Sequence, residues 1–196
     1  MNTLSLEQIQ QIAESVLKEK PPSVPAWAWE LSDREHPSRT YYAFLHALVR
    51  ACEPELVVEL GTDKGTSAMF LATATWASVL SIDCDIRATE HLQEIACARG
   101  LVNINGFTGD TSKRPAVECV KAYGRPIDLL FIDTDHSLAH IRKETAAYFP
   151  LMRPGGLVAY DDIHINAEMS QFWAELDKPK IEVLQPYWAG FGVSIA

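Results

Sequence analysis

The 196-residue sequence contains no long apolar run. No segment approaches the roughly 20 consecutive apolar residues that a membrane-spanning helix needs. The N-terminal stretch "MNTLSLEQIQQ" also lacks the basic start and the apolar core of a secretory signal. We therefore expect a soluble, cytoplasmic protein that does not associate with a membrane.

Basic residues are scarce relative to acidic ones. The chain has 17 Lys and Arg against 26 Asp and Glu, which gives a formal net charge of -9. A nucleic-acid-binding surface needs a basic stripe to neutralise phosphates. The charge balance therefore argues against nucleic acid as a partner and favours a small molecule.

Cysteine is sparse and scattered. The sequence has 4 cysteines, with no CxxC pair and no histidine at zinc-finger spacing. Structural zinc sites and the disulfide frameworks of small secreted domains need such spacing. The cysteines are therefore predicted to be buried free thiols.

The sequence does contain a regular alternation of apolar and helix-like segments from about residue 55 onward. Strands are predicted at 55–61, 78–84, 104–110, 127–134 and 156–162, with segments of helical composition between them. This alternation indicates a doubly wound, Rossmann-like α/β fold, in which a mostly parallel sheet carries helices on both faces. The tail "IEVLQPYWAGFGVSI" predicts an antiparallel hairpin at the sheet edge.

Two helices separated by a proline-rich segment are predicted before the sheet. Ser5 followed by Gln8 is a capping-box signature that begins the first helix. The segment "PPSVPAWAWE" (21–30) is predicted to be irregular, because prolines remove hydrogen-bond donors and clash with the preceding turn. The second helix is placed over "SRTYYAFLHALVRAC".

The length of the chain suits one domain, since single domains commonly run to roughly 100–200 residues. We expect a single domain over residues 1–196, in which 1–50 form an N-terminal helical or lid segment and 51–196 form the Rossmann-like core. The absence of an internal repeat, a low-complexity tract or an interdomain linker supports this expectation.

A glycine-containing turn follows the first predicted strand in "VVELGTDKGTSA". Glu59, Gly61 and Gly65 fall in this turn. Glycine permits a tight turn and close approach of the backbone, and the next helix offers free N–H groups to a carboxylate or phosphate. The spacing is not GxGxxG, which weakens the alternative of a nicotinamide-dependent dehydrogenase.

Acidic residues end the next two predicted strands. Asp83 in "SIDCD" lies about 20 residues beyond the glycine turn, where an acidic side chain can accept hydrogen bonds from ribose hydroxyls. Asp110 and Thr111 in "TGDT" could reach an adenine edge, and the competing interpretation is that Asp110 caps the following helix. Together these strand ends favour a nucleoside ligand.

The fourth and fifth predicted strands also end in carboxylates. If these strands are neighbours, their ends lie roughly 5 Å apart, so Asp133, Asp161 and Asp162 would crowd together. Crowded carboxylates raise one another's pKa or share a cation, and oxygen ligands favour Mg²⁺, with Ca²⁺ or Mn²⁺ as alternatives. Adjacent residues of a strand face opposite sides, so we assume that the chain bends at this point. The competing interpretation is that the aspartates are solvated and cap the following helices.

Read in order, these motifs resemble the class I S-adenosylmethionine-dependent methyltransferases over roughly residues 40–196. The resemblance is closest to the small metal-dependent O-methyltransferases of the macrocin and catechol types. "FIDTDH" and "LMRPGGLVAYDD" carry it more specifically than the glycine turn. The resemblance implies S-adenosyl-L-methionine and Mg²⁺, or another divalent cation, as cofactors. It implies methyl transfer to a hydroxyl of a sugar, polyketide or phenolic small molecule, and a homodimer is considered as the assembly.

The resemblance also implies roles for individual residues. Asp83 would hold the ribose, Asp110 and Thr111 would lie near the adenine, and the glycine turn would shape the methionine end. The implied cofactor-binding residues are Glu59, Gly61, Thr62, Gly65, Thr66, Ser67, Asp83, Asp110, Thr111 and Asp133. The implied metal ligands are Asp133, Asp161 and Asp162.

Two residues compete for the role of general base. In the macrocin-like group an acidic residue two positions after the first metal ligand is the candidate, and this position is Asp135 here. His136 has the more suitable unperturbed pKa for proton removal near neutrality. Catechol-type enzymes use a lysine on this loop, and its absence argues against a catechol substrate. They also have asparagine where this chain has Asp162.

The acceptor molecule and the catalytic competence of the chain stay open at this point. Trp27, Trp29, Tyr41, Tyr42 and Phe44 could form an aromatic lid over a substrate, or could simply belong to the core or a subunit interface. The alternative function is that of a non-catalytic, nucleoside-binding member of the methyltransferase fold.

Overall fold

The computed structural model describes residues 2–32, 38–184 and 189–196. Three helices precede the sheet: α1 (Leu6–Lys18), α2 (Ala26–Glu30) and α3 (Ser38–Cys52). The strands are β1 (Leu56–Leu60), β2 (Ser78–Asp83), β3 (Ile104–Thr108), β4 (Ile127–Ile132), β5 (Met152–Tyr160), β6 (Lys180–Val183) and β7 (Phe191–Ile195). The intervening helices are α4 (Thr66–Ala74), α5 (Ile86–Arg99), α6 (Arg114–Lys121), α7 (Leu138–Tyr148) and α8 (Ala167–Glu175). None of the helices in the described ranges combines the length and apolar character needed to cross a bilayer.

Seven described strands form one sheet in the order β3-β2-β1-β4-β5-β7-β6. The pairs from β3 to β5 are parallel, and β7 runs antiparallel to both β5 and β6. The structure therefore confirms the doubly wound, mostly parallel sheet with an antiparallel C-terminal hairpin at its edge. The strand order reverses between β1 and β4, which is where open α/β sheets bind their ligands.

Two apolar layers cover the two faces of the sheet. Every residue of β1 and β4 is buried, as expected for central strands that are covered on both sides. Alternate strand residues point into opposite layers: Val57 packs with the side chains of α1, α3, α4 and α5, whereas Val58 packs with those of α6, α7 and α8. The continuous apolar runs of the sequence are explained by this double coverage.

Two segments differ from the predicted secondary structure. Residues 21–30 are not wholly irregular, because Pro25 caps the short helix α2, and a proline there loses no hydrogen bond that the first turn could have made. Helix α8 was not predicted. Its signal was the N-cap Asn166, which accepts a hydrogen bond from the backbone N–H of Met169, followed by apolar residues at helical spacing.

The prediction of buried thiols is correct only in part. Cys52 is fully buried, and Cys119 is intermediate. Cys84 and Cys97 are exposed, because the first follows the carboxyl end of β2 and the second lies on the outer side of α5. Cysteine is usually a buried residue, but these two positions face away from both apolar layers.

A buried carboxylate fixes the amino ends of the central strands. Asp128 of β4 is fully buried, and its Oδ2 accepts the backbone N–H groups of Glu55 and Leu56 at 2.7 and 3.1 Å. Its other oxygen pairs with the guanidinium of Arg153 in β5. One side chain thus joins β1, β4 and β5 at the edge opposite the predicted site.

At the other edge, the chain after β1 packs directly against the chain after β4. Gly61 has a φ of +95°, and a Cβ built on it would lie 1.8 Å from the carbonyl oxygen of Asp133. This separation is far below any non-bonded contact distance, so the position requires glycine for two reasons: the backbone angle and the space.

Substituting Gly61→Ala should destabilise the fold much more than Gly100→Ala. Gly100 also has a positive φ, of +68°, but a Cβ added to it would meet nothing within 4 Å. The free energy of unfolding of the control, Gly100→Ala, should therefore fall only by the cost of backbone strain, about 1–2 kcal/mol. Gly61→Ala must in addition displace the chain after β4. Urea unfolding of both variants measures the difference, and equal losses would contradict the close approach.

Candidate active site

The predicted site residues lie along the carboxyl edge of the sheet. The parallel ladder continues past the strand ends, because the backbone N–H groups of Gly61, Asp133 and Asp161 donate to neighbouring strands at 2.8, 2.9 and 3.1 Å. Asp83 is the last residue of β2. The ends of β2, β1, β4 and β5 therefore present their polar residues side by side.

A cleft of about 470 Å³ opens at this edge. Of the predicted cofactor-binding residues, those that line it are Gly61, Asp83, Asp110, Thr111 and Asp133. Glu59, Thr62, Thr66 and Ser67 are buried around the glycine turn, and Gly65 caps α4. The structure thus brings half of the predicted set to the cleft wall and places the others in or beneath the turn that forms part of it.

Asp83 organises the glycine turn from the end of β2. Its Oδ2 accepts the backbone N–H groups of Thr62 and Asp63 at 2.8 and 3.1 Å, and its Oδ1 accepts that of Asp85 at 2.8 Å. A carboxylate offers about four acceptor positions. The side chain therefore shapes the turn and still lines the cleft with acceptor capacity.

Glu59 is fully buried at the base of the turn. One of its oxygens accepts a hydrogen bond from Ser81, whose hydroxyl is 2.7 Å from that of Thr62. Burial raises the pKa of Glu59 to about 8, so the side chain is mostly protonated at neutral pH. Its Oε1 has no hydrogen-bond partner among the described residues.

Asp110 is exposed and forms a local turn. Its Oδ1 accepts from the backbone N–H and the hydroxyl of Ser112 at 2.9 and 2.7 Å, and these bonds lower its pKa. The N-cap of α6 is Lys113, three residues later. The alternative interpretation of Asp110 as the cap of that helix is therefore wrong, and its second oxygen is available at the cleft.

A buried hydrogen-bonded group that was not predicted from the sequence lies beneath the cleft. Glu144 on α7 is fully buried and accepts hydrogen bonds from the hydroxyls of Thr111 and Thr134 at 2.5 and 2.9 Å. The Nε2 of His140, one helical turn earlier, lies 3.1 Å from both Glu144 and Thr111. This group fixes the loops after β3 and β4. Its sequence signal was a glutamate at helical spacing from the buried Ile141 and Tyr148.

Asp133, His136 and Asp162 converge next to the cleft. Each offers one ligand atom, and these atoms lie within 4.8 Å of one another. Asp162 has a φ of +55°, so the chain does bend after β5, as assumed from the sequence. The carboxylate of Asp133 raises the pKa of His136 most, and Asp162 adds to the effect against the opposing influence of burial.

Asp161 adjoins this group without being one of its three members. Its side chain accepts hydrogen bonds from the Tyr41 hydroxyl and, at 2.9 Å, from the backbone N–H of Asp162. Burial, followed by the charges of Asp133 and Asp162, raises its pKa well above the ordinary value.

The chemistry of these donors fits a divalent cation. The two carboxylates carry negative charge beside the imidazole, and both carboxylate oxygen and imidazole nitrogen are common ligands of divalent ions. The Nε2 of His136 lies 3.3 Å from an oxygen of Asp162 and 3.7 Å from an oxygen of Asp133. A bound cation would relieve the repulsion among Asp133, Asp161 and Asp162.

The two candidate bases occupy different positions on the loop after β4. Asp135 is exposed and lines the cleft, whereas His136 points into the carboxylate group. Because the side chain of Asp135 is exposed, solvent can reach it directly. Ser137, which follows the two candidates, caps α7 through its side chain.

The predicted aromatic residues pack mainly against the core. Tyr41 is buried and stacks on Phe191 with ring centres 5.4 Å apart, and Trp29 meets Phe70 edge to face at 5.0 Å. Tyr42 is partly buried against Phe70. These contacts favour the interpretation as core, while the hydroxyl of Tyr41 still reaches Asp161.

A family model described as a methyltransferase domain matches residues 58–163. The mycinamicin VI 2''-O-methyltransferase of Micromonospora griseorubida is 28% identical over 108 residues. The match covers 55% of this chain and 20% of that protein. The chain thus spans about a fifth of the length of this curated relative.

Solved methyltransferase structures share the whole fold. An O-methyltransferase from Bacillus cereus in complex with SAH has a TM-score of 0.69 at 16% identity, covering 98% of this chain and 100% of that chain. TomG from Streptomyces achromogenes, in complex with SAM, has a TM-score of 0.67 at 17% identity, covering 100% and 92%. With the family match over more than half of its length, the chain belongs to the methyltransferase domain family.

Proposed function

We propose that this single domain transfers the methyl group of S-adenosyl-L-methionine to a hydroxyl of a small molecule, with a divalent cation held next to the cofactor. The observation that carries the proposal is the position of Asp133, which lines the cleft and also belongs to the converging Asp–His–Asp group. The relative from Micromonospora is named as a 2''-O-methyltransferase of a mycinamicin. That name supports oxygen as the accepting atom. The acceptor proposed from the sequence motifs is a sugar, a polyketide or a phenolic molecule.

The cleft is suited to the nucleoside end of the cofactor. Asp83 would accept hydrogen bonds from the ribose hydroxyls. The second carboxylate oxygen of Asp110 and the neighbouring Thr111 would face the adenine. Helix α4 begins after Gly65 without a side-chain cap, so its first N–H groups can donate to the carboxylate of the methionine moiety. The unpartnered Oε1 of Glu59 is the acceptor proposed for the amino group.

The ends of β4 and β5 are suited to hold the acceptor. Asp133 and Asp162 would bind the cation, with Asp161 beside them. The bound cation would stabilise the acceptor oxygen as its alkoxide or phenolate. Asp135 would remove the proton and release it to solvent, and His136 is the alternative base. The cleft residues on one side of Asp133 would position the cofactor, and the cation-binding residues on the other side would position the acceptor. The methyl group would then be transferred directly, without a covalent enzyme intermediate.

The proposal is tested by following methyl transfer from labelled S-adenosylmethionine to a panel of glycosides, polyketides and phenols. We expect label on an oxygen of at least one acceptor, with Mg²⁺ or Mn²⁺ present, and loss of transfer in excess chelator. Equal transfer in chelator would contradict the cation. Cofactor binding without transfer to any acceptor would favour the non-catalytic, nucleoside-binding alternative.

Replacing Asp83→Asn should weaken S-adenosylhomocysteine binding by about tenfold or more. The amide keeps the shape of the side chain but loses the charge that accepts hydrogen bonds from ribose and from the turn, and such bonds are worth about 1.5–3 kcal/mol. Asp177→Asn is the matched control, because Asp177 is exposed after α8 and does not line the cleft. Equilibrium dialysis measures both variants, and unchanged affinity for Asp83→Asn would refute its ribose role.

Replacing Asp135→Asn should lower kcat by roughly 10²–10⁴, the usual contribution of a positioned general base. Cofactor and cation affinity should stay close to wild type. Asp63→Asn is the control, since Asp63 also lines the cleft but comes from the glycine turn. A kcat that does not change in Asp135→Asn would transfer the role of base to His136.

A further inference from the structure

We infer that Glu144 is a positioning residue of the cleft, which holds the segments after β3 and β4 together so that both can contact one nucleoside. The inference rests on the proposed function and deepens it, because it names a residue outside the cleft on which cofactor affinity depends. Glu144 lies on α7 and is fully buried. It is not one of the residues that line the cleft.

The sheet by itself does not bring the two segments together. In the strand order, β2 and β1 lie between β3 and β4. Neighbouring strands are about 4.8 Å apart, so the ends of β3 and β4 are separated by roughly 14 Å. Both strands are fixed by their sheet neighbours, but the segments that follow them leave the sheet. Any approach between these segments therefore needs contacts outside the backbone ladder.

The carboxylate of Glu144 makes such a contact. Its Oε1 accepts a hydrogen bond from the hydroxyl of Thr111 at 2.5 Å, and its Oε2 accepts one from the hydroxyl of Thr134 at 2.9 Å. Thr111 follows β3, Thr134 follows β4, and both residues line the cleft. One buried side chain thus bridges two walls of the cleft, with one oxygen directed at each.

Helix α7 makes two further contacts in the same region. Tyr148, one turn after Glu144, donates its hydroxyl to the backbone carbonyl of Thr111 at 2.9 Å. His140, one turn before Glu144, lines the cleft, and its Nε2 lies 3.1 Å from both Oε1 of Glu144 and the hydroxyl of Thr111. The segment after β3 is therefore attached to α7 through the side chain and the backbone of Thr111.

A carboxylate is a costly group to bury at this position. The described part of the chain brings no lysine or arginine within ion-pair distance of Glu144, and its ionisable partner is His140. Burial raises the pKa of Glu144 against the opposing effect of the hydrogen bond from Thr111. An apolar side chain would fill the same volume at a lower cost. It could not supply two acceptors that point at two different segments, and this is the property that the inference assigns to Glu144.

Two substitutions separate the reach of this side chain from its charge. Glu144→Gln keeps the length, and its amide can accept from Thr111 and donate to Thr134, because a threonine hydroxyl acts as donor or acceptor. Glu144→Asp keeps the charge but is one methylene shorter, so its carboxylate is drawn back from both hydroxyls. We expect calorimetric titration of the full chain to show S-adenosylhomocysteine affinity within about threefold of wild type for Glu144→Gln. For Glu144→Asp we expect a loss of about tenfold or more.

Thr134→Val removes one end of the bridge, and Thr145→Val is its matched control. Both changes replace threonine by an apolar residue of the same shape, but the hydroxyl of Thr145 donates to the carbonyl of Ile141 within α7, at 2.9 Å. We expect Thr134→Val to weaken S-adenosylhomocysteine binding and Thr145→Val to leave it unchanged. The losses from Thr134→Val and Glu144→Asp should not add in the double variant, because both changes break the same bridge. Urea unfolding verifies that each variant is folded during the titration.

The outcomes separate this inference from the proposed function. Wild-type binding with unchanged affinity in Glu144→Asp would overturn the role of Glu144 and leave the proposed function intact. Equal losses in Glu144→Gln and Glu144→Asp would also overturn it, because charge and not reach would then decide the affinity. Absence of binding in the wild type would contradict the proposed function and this inference with it. If Glu144→Asp does not fold, the comparison of Thr134→Val with Thr145→Val decides the question.

Discussion

The parallel pairing of β1 with β2 and β4, and of β4 with β5, is the constraint on which the site depends. Because the ladder continues one residue past these strand ends, the segments that follow them are held at the spacing of neighbouring strands. Gly61 makes the closest approach possible, since its missing side chain lets the turn touch the carbonyl of Asp133. The backbone therefore places the cleft next to the group formed by Asp133, His136 and Asp162.

This arrangement concentrates acidic side chains where water is scarce. Burial raises the pKa of Glu59 and of Asp161, and the negative charge around Asp133 raises that of His136. Such a group is stable only when protons, hydrogen bonds or a cation offset the repulsion. Glu59 is offset by its own proton and by Ser81. Asp133 and Asp162 face the imidazole of His136, and the potential ligand atoms of the three lie within 4.8 Å of one another. If the proposed function holds, this edge supplies a neutral acid near the cofactor and charged carboxylates near the acceptor.

The sequence predicted the sheet well because strand burial and chain alternation are local signals. It also predicted that Asp83, Asp133 and Asp162 lie at one edge of the sheet, since the ends of parallel strands meet there. It could not show that Asp161 turns towards Tyr41 while His136 turns towards Asp162, because these directions depend on the positive φ of Asp162 and on contacts from α8. Glu144 was missed for a similar reason: its partner Thr111 follows β3 and lies 33 residues away in the sequence.

A nucleoside cleft and a cation site that meet at Asp133 would be sensitive to each other's ligands. The most direct test is calorimetric titration of the chain with S-adenosylhomocysteine, first in chelator and then with a saturating divalent ion. We predict micromolar binding in both buffers, with an affinity that changes when the ion is present because the two sites share a residue. Absence of binding in either buffer would contradict this arrangement of sites and would leave the alignment of Asp83, Asp133 and Asp162 along one edge of the sheet without a functional explanation.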